Sequence, residues 1–160
     1  MSTDTAPRLV LDGEVEQACS LSAAELAVLA AEHQIPDVAA VESKRQGRGI
    51  WLAGLLQTAR VKPTATHVTL HSSTDDFHAS VPLAAVTERA FLIYALADGP
   101  LPASAGGPFR FFIRDHAACK TAEVDECANV KFVDRIELTA GPGYDNRPRD
   151  EAEHAKLHEH

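Results

Sequence analysis

The chain has 160 residues, of which 45% are apolar and 24% charged, with a formal net charge of −8; that length suits one domain able to build a core without staples, and the composition excludes a wholly disordered chain. The acidic balance argues against nucleic acid or an anionic membrane as the default partner, and no apolar run approaches the ~18 residues of a membrane span. The three cysteines, Cys19, Cys119 and Cys127, form no disulfide framework, and with no leader pattern at the start the expected location is cytoplasmic.

In chain order, Leu9-Val10-Leu11 closed by Asp12-Gly13 predicts a strand and turn, with Val15 to Ala18 as a candidate hairpin partner. Ser22-Ala23-Ala24-Glu25 is a capping box, and Leu21 and Leu26 flank it at hydrophobic-staple spacing. Leu26, Leu29, Ala30 and His33 then recur at helical spacing, so a helix is expected to run to about His33 and stop before Pro36. Val38 to Ser43 is a strand candidate. Lys44 to Gly49 is a basic, glycine-bearing loop, and Lys44, Arg45 and Arg48 form the one local basic cluster. Trp51 to Ala59 carries Leu52, Leu55, Leu56 and Ala59 on one helical face.

The middle of the chain alternates as strands do. His67 to His71 places Val68 and Leu70 on one face; a polar turn follows from Ser72 to Asp76, and Phe77, Ala79 and Val81 alternate again. A short helix is expected within Pro82 to Arg89. Phe91 to Ala97 is a continuous apolar run, consistent with a buried strand or a short helix, and turns at Asp98-Gly99-Pro100 and Ala105-Gly106-Gly107-Pro108 bracket a loop around Leu101. Phe109 to Ile113 and a final stretch holding Ile136 and Leu138 complete the strands. From Gly141 the composition turns polar, so residues 1–140 read as one domain and 141–160 as a tail. Strands mixed with short helices predict an α+β fold around a mixed sheet or small barrel.

Several residue groups carry chemistry on paper. His116, Cys119 and Cys127 are natural metal ligands in a polar excursion, although their spacing is not a common zinc pattern; two reduced thiols are the plainer reading. His67 and His71 share a strand face but stand about 13 Å apart, too far to share one ion, which leaves them, with His78, as surface or cleft-lining residues. Asp75-Asp76 fits a polar turn better than an acid–base pair. There is no nucleophile elbow, phosphate-binding P-loop, zincin motif or dinucleotide fingerprint.

Five segments stand in an order that resembles the molybdopterin-binding oxidoreductase domain, the core of the sulfite oxidase superfamily. They are Trp51-Leu52-Ala53-Gly54-Leu55-Leu56; Asp75-Asp76 running to Ser80-Val81-Pro82-Leu83; Leu96-Ala97 running to Gly99-Pro100-Leu101-Pro102; Gly106-Gly107-Pro108-Phe109-Arg110; and Val130-Lys131 running to Ile136-Glu137-Leu138. The opening, Leu9 to Gly13 and then Leu21 to Leu26, fits as well, so the resemblance covers nearly the whole chain to about residue 140. It implies a mixed-sheet, barrel-like core with short helices and a molybdopterin (molybdenum cofactor) ligand. It also implies that Gly107, Arg110, Asn129 and Lys131 lie along that cofactor, with the cationic side chains suited to its phosphate; the plain alternative for Arg110 and Lys131 is a solvated strand residue.

One departure concerns the metal. The family's molybdenum-binding cysteine is expected roughly ten residues before Trp51, near Val41, where the chain has Ala39-Ala40-Val41-Glu42-Ser43. Three readings follow from it. One is an oxidoreductase whose metal is held by the dithiolene alone, capable of two-electron redox or oxygen-atom transfer. The second is a domain that binds a different small ligand in the same cleft. The third is a non-catalytic binding or scaffold module, with a protein partner. A thiol of Cys119 or Cys127 replacing the lost ligand, or a metal- or thiol-switch protein centred on those two residues, remains as a further class.

Overall fold

The structure, a computed structural model, describes residues 7–42, 45–114 and 129–147. Two five-stranded sheets face one another. The first is built from β1 (Arg8–Gly13), β2 (Cys19–Ser22), β5 (His67–Ser72), β6 (Phe77–Pro82) and β10 (Arg135–Thr139), in the order β2-β1-β10-β5-β6. The second holds β3 (Gln34–Ile35), β4 (Arg48–Trp51), β7 (Ala90–Leu96), β8 (Gly99–Pro100) and β9 (Arg110–Ile113), with β7 at its centre. Among the described residues β1 and β10 alone pair in parallel; the other pairs are antiparallel. With the short helices α1 (Ala23–Ala27), α2 (Leu52–Ala59) and α3 (Leu83–Val86), these residues form the mixed-sheet α+β fold that the sequence predicts.

Alternation decides which face is buried. Leu9 and Leu11 of β1, Val68 and Leu70 of β5, Ala79 and Val81 of β6, and Ile136 and Leu138 of β10 all point inward. They meet Ile50, Leu92, Tyr94, Phe111 and Ile113 of the second sheet and Leu52, Leu55, Leu56 and Ala59 of α2 in one core. The second sheet is apolar on both sides. Phe91, Ile93 and Phe112 point away from that core and join Ile35, Val38 and Leu101 in a second cluster. That outer cluster underlies the site described below.

Local chemistry explains several element boundaries. The capping box at α1 forms as expected: the Ser22 hydroxyl accepts from the Glu25 amide at 3.2 Å, and the Glu25 carboxylate accepts from the Ser22 amide at 2.9 Å. The helix nevertheless ends at Ala27, and a 3-10 turn at Ala31–His33 follows instead of further α-helix. The Gln34 side chain causes the stop. Its amide donates to the Leu26 carbonyl at 2.8 Å, and its oxygen accepts from the Tyr94 hydroxyl at 2.6 Å, tying the helix terminus to β7. The partner of β1 is Cys19–Ser22 rather than Val15 to Ala18, because Val15 bridges to Val61 beyond α2. Val38 to Ser43 is not a strand where it is described: Asp37 accepts from the Ala39 amide and caps a 3-10 turn at Val38–Ala40. Gly54 lets His33 lie on α2, since a Cβ there would stand 2.6 Å from the His33 Cβ.

Residues 141–147, grouped by composition with the tail, lie along β6. The edge of that strand offers free backbone groups at His78 and Ser80, and the polar side chains of the segment take them up. Asp145 accepts from the Ser80 amide at 2.9 Å, Asn146 accepts from the His78 amide at 2.8 Å, and Arg147 donates to the Ser80 carbonyl at 2.9 Å.

Candidate functional site

The outer face of the second sheet gathers positive charge in an acidic protein. Arg110 opens β9 and points to the same face as Phe112, two residues on. Its side chain is 8% exposed. One guanidinium nitrogen, Nη1, donates to the Ala105 carbonyl at 3.2 Å, while the buried Nε has no partner. Burial, and then the nearby charge of Arg45, push the Arg110 guanidinium below its ordinary range.

Arg45 comes from the loop before β4. Its guanidinium lies 5.5 Å from the centre of the Phe112 ring, and its own Nε is likewise buried without a partner. Lys131 approaches from the turn before β10. Gly106, with a φ of +91°, is the surface on which the last two cations meet: a Cβ there would lie 3.0 Å from the Arg110 Cδ and 3.3 Å from the Lys131 Cγ. The backbone fixes this arrangement, because the Phe132 amide donates to the Gly106 carbonyl at 2.8 Å and the Val133 amide to the Phe109 carbonyl at 3.0 Å. Beneath Arg45 runs an aromatic row, with ring centres 5.5 Å apart between Phe112 and Phe91 and 5.6 Å between Phe91 and Trp51.

Of the residues singled out in the sequence, Arg110 and Lys131 are thus brought together. Gly107 adjoins them and packs so closely on the Leu101 carbonyl that no side chain fits. Asn129 stands at the other end of β9, where its side-chain oxygen accepts from the Ile113 amide at 2.7 Å and closes the strand. His116, Cys119 and Cys127 lie outside the described residues. Among the described residues, no group of three or more His, Cys, Asp or Glu is placed to hold a metal ion. Arg45 and Gly106 complete the set; the sequence signal for the first is the local basic cluster of Lys44, Arg45 and Arg48, which nothing in the sequence links to Arg110. The three histidines His67, His71 and His78 belong to the other sheet.

Two partnerless guanidinium nitrogens beside a lysine and a glycine turn are a donor set for a compact multivalent anion, and a phosphate group is the common one. That fits the phosphate end of a molybdopterin cofactor. Among the described residues the thiolate end has no counterpart: Val41 and Glu42 occupy the expected region, and the one described cysteine, Cys19, lies on β2 of the first sheet, its thiol pushed up by burial and then by the charge of Glu25. Among the described residues, no helix is long and apolar enough to cross a membrane.

Comparison with known proteins bears on the fold and the family. The sulfane dehydrogenase SoxCD from Paracoccus pantotrophus has a similar structure, with a TM-score of 0.62 and 17% identity. The match covers 85% of this chain and 39% of that one, so the chain spans well under half of that protein's length, and the likeness is one of fold. No curated protein matches the chain. The family model described as the oxidoreductase molybdopterin binding domain matches residues 3–146, nine-tenths of the sequence, and the chain therefore belongs to that family, with the sulfite-oxidase type of fold.

Proposed function

We propose that this chain binds a molybdopterin-type cofactor by its phosphate, through Arg45, Arg110 and Lys131 around Gly106 and Gly107. The observation that carries the reading is the pair of buried guanidinium Nε atoms without partners. Leaving such donors unsatisfied costs roughly 1–3 kcal/mol each; both are closed to solvent in the ligand-free chain, so an anionic ligand removes that cost only as the two side chains turn towards it. When bound, the cofactor supplies two-electron redox and oxygen-atom transfer; the chain's own residues neutralise its phosphate charge, fix its orientation and present an aromatic, water-poor face beside it.

The absence of a thiolate near Val41 favours a second reading, a binding or scaffold module that holds the cofactor, or a related anion, without catalysis and works with a protein partner. Elemental analysis for molybdenum, paired with a fluorescence assay for released pterin, tests the first reading on protein from a molybdenum-replete host. Near-stoichiometric molybdenum and pterin are expected. Pterin without molybdenum supports the scaffold reading, and absence of both overturns cofactor binding altogether.

A further inference from the structure

The outer face of the first sheet carries a chain of four side chains that the cofactor site does not use. His71 on β5 and His78 on β6 stand directly opposite in register. Their Nδ1 atoms are 2.7 Å apart. At one end His71 Nε2 meets Glu137 Oε1 at 2.9 Å, and at the other His78 Nε2 meets Asp76 Oδ1 at 2.9 Å.

Hydrogen counting restricts this arrangement. Three contacts need three hydrogens, and ionised carboxylates bring none. All three contacts form only when one ring is an imidazole and the other an imidazolium, with one proton between the two Nδ1 atoms. A neutral pair has two hydrogens and gives up one contact. The end at Asp76 yields most easily, because that side chain is 89% exposed. A doubly protonated pair has four hydrogens, and two N–H groups then confront each other where one proton had been shared.

The strap formed by residues 143–147 is seated on the same histidine. The Tyr144 ring stacks on the His78 ring, with centres 4.7 Å apart and planes 17° apart. Asn146 accepts from the His78 amide at 2.8 Å and donates its own amide to the His78 carbonyl at 3.0 Å. Its side-chain amide donates to the Asp76 carbonyl at 2.8 Å. Moving the His78 ring away from His71 therefore disturbs the stacked Tyr144 ring, while Asn146 holds only the backbone of the hairpin.

We propose that the His71–His78 pair is a proton-counting latch: with one shared proton it holds the Tyr144 ring of the strap on His78, and a second proton unseats that ring. Histidine is the side chain whose charge ordinarily changes between pH 5 and 8. Charged groups face the pair from each neighbouring element. Glu137 from β10 and Asp76 from the turn accept at its two ends. Arg135 from β10 bonds the second oxygen of Glu137 at 3.4 Å and Asp12 of β1 at 3.0 Å. Asp75 and Asp134 lie at the turn end of the hairpin, with Asp134 accepting from Ser73, and His67 lies four residues back on β5. On the strap, Asp145 and Arg147 pair with each other at 2.6 Å. Burial raises the Asp145 carboxyl, but its bonds to Arg147 and the Ser80 amide outweigh this and hold it below the ordinary carboxylate range. The Asp145–Ser80 bond thus survives the mild acid that opens the latch.

The test is NMR of the Tyr144 ring at pH 7.5 and pH 5.0. The ring-current shift that stacking on His78 gives the Tyr144 ring protons is expected to be lost at the lower pH, while hydrogen-exchange protection of the Ser80 amide, bonded to Asp145, changes less than twofold. His78→Phe keeps a ring against Tyr144 but binds no proton, and it should abolish the pH dependence; His71→Gln serves the same purpose if that variant does not fold. Equal Tyr144 shifts at both pH values in the unmodified protein, or the same acid-induced loss in the variants, overturns the latch.

Discussion

Replacing Arg110 by methionine should stabilise the ligand-free protein and abolish its response to anions. Methionine is similar in length, apolar and adaptable, so it fills the space of the arginine stem without a void. The substitution removes the Nη1 bond to the Ala105 carbonyl, worth about 1.5 kcal/mol for a charged donor. It also removes the buried Nε that has no partner, which costs about 1–3 kcal/mol, and the repulsion from Arg45. An arginine remains charged at any accessible pH, so the cost is present throughout. The balance favours the variant by about 1 kcal/mol, or about 2–4 °C in melting temperature for a domain of this size. Anion binding reverses the order. At ten times its Kd, phosphate stabilises the unmodified protein by about 1.4 kcal/mol, and the variant by nothing. Melting curves followed by circular dichroism, in anion-poor buffer and across a phosphate titration, should therefore cross. A variant that melts several degrees lower in anion-poor buffer, or equal phosphate shifts in both proteins, would refute the reasoning.

Three further substitutions probe the scaffold. Ser22→Ala removes the hydroxyl that accepts from the Glu25 amide and should lower stability by about 1 kcal/mol in urea unfolding. Gly54→Ala sets a methyl 2.6 Å from the His33 Cβ; the overpacking cost of about 1–3 kcal/mol should outweigh the gain in helix propensity, visible as a lower melting temperature. Asp145→Asn breaks a largely buried pair with Arg147 and should cost about 3 kcal/mol at neutral pH. Because the folded state holds the Asp145 carboxyl below its ordinary range, its contribution is fully present above that range and is lost as pH falls on from it through the lowered folded-state value. Urea midpoints measured from pH 7 down to pH 2 should accordingly converge for the two proteins at the acid end.

The parts of the fold visible in the sequence are those written in local period. The inward positions of β1, β5, β6 and β10 follow from simple alternation, and the capping box at Ser22 and Glu25 needs only a four-residue window. What distance brings together was hidden. The α1 terminus depends on Gln34 and, through it, on Tyr94 of β7, so helical spacing past Leu26 overstated the helix. The same holds for the strap, whose polar composition suggests a tail until the free edge of β6 supplies its partners.

The site divides in the same way. Arg110 and Lys131 were accessible through resemblance to the family, but Arg45 joins them only because the loop before β4 crosses Phe112. The two histidines of the latch stand opposite because the turn between β5 and β6 spans Ser73 to Asp76, and comparing His67 with His71 along one strand missed the pair across two.

Binding of a molybdopterin phosphate to the cationic face around Gly106 should be visible through Trp51. It is the single tryptophan of the chain and ends the aromatic row beneath Arg45. Titration of the purified protein with isolated molybdopterin should change its fluorescence saturably in the unmodified chain and leave it unchanged in a double variant with Arg110→Met and Lys131→Met. No saturable change, or the same change in both proteins, would contradict the account.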